Sequence, residues 1–395
     1  MKKQTDIYQK IILGILSAIG PLAMDFFLPG LPMIQKEFGI TTSLTQLTVT
    51  MSLIGIALGQ IFLGPLADRI GRRQPLLIGM VVFTLSSALI AVTDNIYFFL
   101  LMRLIQGIAG SAGIVLSLTI ITDLFTGKAL RSNITINQAI NGLFPVIAPI
   151  FGALIMQATS WRATFWGLAL IGIMLFYSVW CYLPETLAKD EMTEQKTSFI
   201  KGYRQIFANR TFTRLVVIQA LVIIPLFSYI AGSAFILQGM YHLSLTSYSI
   251  VYAFNGVGMI ATTLISNQLS NYFKETTILV AFILYGLIGG GLLALTISIK
   301  SLGLLVIALF MIVSAVGALL NLGASLALQN LVGDKGAGSA TLGVSRFLVG
   351  GLVSPLVGIM GSTTIVPLVV IVLFSQIIAL LLVVRHITKT KQARA

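Results

Sequence analysis

The chain has 395 residues, of which 57% are hydrophobic and only 9% charged, against roughly 25% charged in an ordinary soluble domain. So little charge cannot cover a soluble surface, and a lipid bilayer is the solvent that removes the need. The net charge of +13 does not indicate nucleic acid as a partner, because the basic residues stand between apolar runs.

Those runs are continuous and about 20 residues long, the length a helix needs to cross hydrocarbon. An unsatisfied backbone group is costly in lipid, so each run should be a helix. A membrane β-barrel would need short alternating strands instead. The runs predict spans near residues 8–31, 44–66, 75–93, 97–122, 131–157, 163–183, 211–236, 246–268, 276–297, 301–325, 337–360 and 364–386. With the N-terminus in the cytoplasm, 20 of the 25 basic residues fall on the inner side. That bias supports an even number of spans in the cell membrane and places both termini on its cytoplasmic side. Cys181 is the sole cysteine, so an intrachain disulfide is excluded. The basic start and first apolar run lack a small-residue cleavage site, so they read as a retained span.

In chain order, span one carries Met24-Asp25-Phe26-Phe27-Leu28-Pro29-Gly30-Leu31-Pro32. Asp25 is the acid expected well inside a span, while the other eleven fall in loops, tails or helix ends. After span two comes Gly64-Pro65-Leu66-Ala67-Asp68-Arg69-Ile70-Gly71-Arg72-Arg73. Its glycines are expected to permit a tight turn between helices. Its charged residues can hydrogen-bond helix ends and each other. Span four contains Arg103, an ionisable group whose cost in hydrocarbon makes it a functional candidate. Gly142, Pro145, Pro149 and Gly152 punctuate span five, where small residues allow close helix approach and proline bends the helix.

Residues 184–210 form the longest polar stretch and read as a surface linker between a six-span half at 1–183 and another at 211–395. A weak internal echo supports two repeats. Ala148-Pro149-Ile150-Phe151-Gly152 is echoed by Ser354-Pro355-Leu356-Val357-Gly358, and Gly64–Asp68 by Asn267–Asn271. Such repeats place a substrate site near the membrane midplane at their interface. Candidate cavity residues there are Phe26, Gln138, Asn141, Tyr229, Gln238, Phe254, Asn255 and Arg346. The polar ones could equally serve as interhelical glue. Arg346 lies about ten residues, or ~15 Å, into span eleven.

The Gly64–Arg73 segment resembles the signature loop of the major facilitator superfamily. The resemblance implies twelve helices in two six-helix bundles related by a pseudo-two-fold. It implies that Asp68, Arg72 and Asp123 form a gating charge relay. The span-four segment from Arg103 to Gly110 is similar to a motif whose arginine is tied to proton coupling, and span five is similar to the superfamily's antiporter motif. Met24–Pro32, Trp161–Trp166, Tyr229–Gln238 and Tyr252–Gly256 together look like the Bcr/CflA type of drug:proton antiporter. Two departures stand out: Ala234 where that branch usually has proline, and Arg346 where a glutamine is expected.

The resulting expectation is a proton-driven exporter of small drug-like molecules, monomeric, in the cell membrane, needing no cofactor. Asp25 would hold a proton in a dry state and release it on hydration or approach of a cation, with Arg103 coupled to it. The alternative is a dedicated exporter of an endogenous polar or anionic metabolite such as a metallophore, which Arg346 favours. An enzyme is disfavoured: no metal-spaced histidine cluster or nucleophile–base pair occurs. Nucleotide-driven transport is disfavoured too, since no Walker-type loop is present.

Overall fold

The computed structural model describes residues 7–187, 209–331 and 335–392. The described residues hold helices and short connections, without a strand. Twelve stretches are long and apolar enough to cross a bilayer: Tyr8–Phe38, Thr42–Ile70, Arg73–Val92, Ile96–Leu124, Gly127–Ala158, Trp161–Tyr182, Arg210–Met240, Leu245–Leu269, Glu275–Ile299, Leu302–Gln329, Ala337–Leu356 and Val366–Thr388. They are numbered spans one to twelve below. Most of the predicted linker, 188–208, lies outside the described residues.

Span one departs most from expectation. It runs to Phe38 rather than ending near residue 31, because it is built in pieces. An α-helix covers Ile7–Asp25, a 3-10 turn Leu28–Gly30, and a second helix Leu31–Phe38. Proline sits at the start of both later pieces, where its missing N–H costs nothing. Asp25 is the eighteenth of 31 residues. It therefore stands nearer mid-span than the outer half the shorter prediction gave. Span seven also changes character: its α-helix ends at Ala234 and a π-helical turn covers Phe235–Met240. The irregularity survives without the proline.

Two compact units emerge: Met1–Ile40 with Leu47–Thr197, and Thr41–Gln46 with Ser198–Ala395. In the first, span one packs on spans four and five, and span three on spans four and six. Lipid tails are as apolar as leucine, so helices associate through close packing and hydrogen bonds. A Cβ on Gly113 would collide with the Leu16 carbonyl, and one on Gly152 with that of Phe26. Asn137 Nδ2 donates to Leu13 O at 3.2 Å and Asn141 Nδ2 to Ser17 Oγ at 2.6 Å. Span one thus packs on span four at Gly113, and on span five through Gly152 and the amides of Asn137 and Asn141.

In the second unit, span ten packs on spans seven, eight and nine, and span twelve on seven and nine. Phe212, Leu215, Ile283, Ala315, Leu319 and Ala379 are among its core. The short segment at Thr41–Gln46 is fixed by three bonds. Ser43 Oγ donates to Pro355 O at 3.1 Å, Gln46 Nε2 donates to Ala231 O at 3.1 Å, and Gly358 N donates to Gln46 Oε1 at 2.8 Å.

Candidate functional site

Breaking span one after Asp25 exposes helix-end carbonyls, which lack intrahelical partners. Arg103 answers one of them. Its Nη1 donates to Ala23 O at 3.3 Å and to Gln106 Oε1, and its Nε donates to Thr48 O at 3.1 Å. Gln106 Nε2 in turn donates to Ser87 Oγ at 2.7 Å. The guanidinium lies 4.3 Å from the Phe27 ring centroid and 5.6 Å from that of Phe165, within cation–π range. Arg103 is fully buried, so it does not snorkel to an interface. Asp25, two residues beyond Ala23, is buried as well at 2% exposure. One Arg103 nitrogen, Nη2, is buried without a hydrogen-bond partner among the described residues. Spans one, two, three, four and six therefore converge on one cation, and the buried acid follows two residues after one of its acceptors.

The second cluster lies between spans two and three. Span two stays helical through Gly64 to Ile70, and nothing crowds the space beside Gly64. Gly64 is therefore not a turn residue, contrary to the sequence expectation. The turn is confined to Gly71 and Arg72, and Gly71 alone of the motif's two glycines needs its left-handed φ of 93°. Arg72 is buried and pairs with Asp68, four residues earlier, and through Nε with Asp123 Oδ2 at 3.3 Å. The structure thus brings together Asp68, Arg72 and Asp123. Arg73 leaves the trio: its Nη2 donates to Trp180 O at 2.6 Å, and its guanidinium lies 5.5 Å from the Trp180 ring centroid. Arg69 is exposed.

Two residues at this cluster escaped the sequence reading. Glu185 Oε1 accepts from the Arg72 backbone N–H at 2.8 Å, and its Oε2 from that of Arg73 at 3.0 Å. Thr186 Oγ1 donates to Asp123 Oδ2 at 3.1 Å. Partial burial pushes the Glu185 carboxyl up. The backbone N–H groups of Arg72, Leu187, Arg73 and Thr186 outweigh that and hold it below its ordinary value. A proline followed by an acid at a span end was the available signal, but nothing local marks a partner more than a hundred residues away.

Each expected cavity residue has its own local surroundings. Phe26 is buried behind Gly152 and Gly167. Asn141 spends its amide on Ser17 and Asn137, as glue. Pro145 and Pro149 sit inside an unbroken span-five helix, and Gly142 is half-buried there. Gln138 is exposed. Tyr229 and Asn255 are fully buried against each other, Asn255 Nδ2 donating to the phenol at 2.8 Å. Tyr252 stacks on Tyr229 at 5.3 Å. Gln238 lies in the π turn, and Phe254, half exposed, stacks on Phe310 at 4.6 Å. Arg346 makes no hydrogen bond or ion pair among the described residues, and its Nε is buried without a partner. The described residues also hold no cluster of metal-ligating side chains.

The model of the Major Facilitator Superfamily matches residues 13–355. The chain belongs to that superfamily. It is a multi-pass membrane transporter rather than an enzyme. A Bacillus subtilis (strain 168) protein described as an uncharacterised MFS-type transporter, YdgK, is 32% identical over 371 residues, 93% of this chain and 92% of its own. The bicyclomycin resistance protein homolog of Haemophilus influenzae is 25% identical over 360 residues, 91% of this chain and 90% of its own. Among solved structures, a D-xylose-proton symporter superposes with a TM-score of 0.74 at 16% identity. That match covers 93% of this chain and 97% of the other. The likeness establishes the major facilitator fold.

Proposed function

We propose that this transporter is a proton-coupled exporter of small drug-like molecules. It would act as a monomer by alternating access, in a cell membrane with both termini on the cytoplasmic side. The observation that carries the reading is the burial of two ionisable groups at the span-one break. Arg103 binds the carbonyl of Ala23, and Asp25 follows two residues later. Burial favours a protonated carboxyl, while a nearby guanidinium favours the ionised one. Hydration or cargo entry that shifts this balance would load or release a proton. The resistance named for the Haemophilus influenzae relative supports drug-like cargo.

Proteoliposomes with an imposed pH gradient test the reading against a chemically varied substrate panel. Export should follow the gradient, and Asp25→Asn should abolish both uphill export and proton release on cargo binding. Gradient-independent movement, or uphill export by Asp25→Asn, overturns proton coupling at this site.

A second reading is favoured by Arg346: export of a polar or anionic metabolite. A guanidinium within a span that has no partner among the described residues is costly, and an anionic cargo group would supply the missing acceptor. Arg346→Gln should then weaken transport of anionic compounds about tenfold or more, the scale of one charge-assisted hydrogen bond, and leave neutral ones unchanged. Unaltered selectivity removes that reading.

A further inference from the structure

We infer that Glu185 and Thr186, which follow Pro184 at the end of span six, are positioning residues of the gate. They hold the Gly71–Arg73 turn so that the Arg72 side chain is delivered to Asp68 and Asp123. The inference rests on the gating role that the loop's resemblance implies.

A helix begins with N–H groups that have no intrahelical acceptor. The usual remedy is an oxygen-bearing side chain at the N-cap. Span three has Arg72 in that position, with no side-chain cap of its own. Arginine offers only donors, and this guanidinium is committed to Asp68 and Asp123. The cap comes from elsewhere in the chain. Glu185 receives the N–H groups of Arg72 and Arg73, one on each carboxylate oxygen. A negative charge at a helix N-terminus is favourable in addition.

The same carboxylate fixes its own strand of chain. Its Oε1 also accepts from the backbone N–H groups of Thr186 at 3.0 Å and Leu187 at 3.1 Å. That turn sets the Thr186 hydroxyl on Asp123 Oδ2, the oxygen that Arg72 Nε reaches. Gly71 completes the fit. Its φ of 93° suits glycine, and a Cβ there would overlap the Glu185 carboxylate. Glu185 makes no ion pair among the described residues. An acid bound by backbone N–H groups and by no cation acts through position.

The test compares Glu185→Ala, Glu185→Gln and Thr186→Val in the full chain. Two readouts apply: hydrogen–deuterium exchange at residues 72–74 and ethidium export from inverted membrane vesicles under a proton gradient. Glu185→Ala should speed exchange at those amides about tenfold or more, on the scale of a lost charge-assisted bond. It should cut the maximal export rate by a similar factor and leave the half-saturating ethidium concentration unchanged. Glu185→Gln should fall between, because one amide oxygen can replace only one carboxylate oxygen. A Glu185→Ala, Asp68→Asn double variant should export no worse than Asp68→Asn alone. Unchanged exchange at 72–74, or effects that multiply in the double variant, overturns the proposal. If Glu185→Ala does not assemble, normal exchange in both Glu185→Gln and Thr186→Val does so. Should wild-type vesicles not move ethidium, drug export of that probe fails while the exchange readout still decides this inference.

Discussion

The turn between spans two and three and its echo between spans eight and nine carry opposite charges at corresponding places. At the repeat offset of 203 residues, Asn271 stands at the place of Asp68 and Glu275 at the place of Arg72. In the first turn the central group is a cation held by two acids, Asp68 and Asp123. In the second it is an anion held by neutral donors. Glu275 Oε1 accepts from Ser325 Oγ at 3.1 Å and Gln329 Nε2 at 3.2 Å, and Asn321 Nδ2 donates to Asn267 Oδ1 at 3.2 Å. Hydrogen bonds in which either partner is ionised are roughly twice as strong as neutral ones, so both turns rest on charged contacts. The first turn joins charge to charge, and the second joins a carboxylate to neutral side chains.

The largest expected effect tests that division directly. Asp68→Asn or Arg72→Gln should lower the initial export rate about 10- to 100-fold, the equivalent of losing about 1.5–3 kcal/mol of charged hydrogen bonding. Glu275→Gln keeps an acceptor for Ser325 and should stay within about threefold of wild type. Equal damage from both would break the contrast.

A smaller effect concerns the backbone. Gly71→Ala forces a Cβ into left-handed geometry, at about 1–3 kcal/mol, and into the Glu185 carboxylate as well. Its thermal midpoint should fall by several degrees. Lys274, at the corresponding place, has an ordinary φ of −64°. Lys274→Ala should leave the midpoint within a degree of wild type.

The smallest effect is a pH dependence of the first turn. The Glu185 carboxyl lies below its ordinary value when folded. Its contribution is therefore complete above the unfolded value of about 4.3 and is lost as pH falls through the folded one. Amide protection at residues 72 and 73 should weaken across that acid window in the wild type. Glu185→Gln should remove this step, and a step that persists in the variant would assign it to another group.

The sequence made the spans legible because hydropathy is set residue by residue and the bilayer demands it. The Asp68–Arg72 pair was legible because both partners lie in one contiguous motif. Asp123 entered only through the resemblance. The far end of span one was obscured because Gln35, Lys36 and Glu37 end the apolar run, whereas the helix continues through them to Phe38. The partners of Arg103 were hidden for a different reason: two are backbone carbonyls, at Ala23 and Thr48, and every residue has one. Tyr229 and Asn255 suited a cavity by chemistry, and they also hydrogen-bond each other, with Asn255 Oδ1 left buried without a partner among the described residues. Residue type alone does not separate those uses.

The Arg103 network also bears on how the protein is made. Its polar partners Ala23 and Thr48 precede it in the chain, Gln106 sits one turn further on its own helix, and Ser87, which secures that glutamine, belongs to the preceding span. An arginine entering hydrocarbon at a helix centre costs about 2.5–3.5 kcal/mol on insertion scales. Synthesis runs from the N-terminus, so the acceptors that offset this cost are all made before span five. The Phe165 ring arrives two spans later and closes over a guanidinium already anchored. The order of the codons is, for this residue, also an order of assembly.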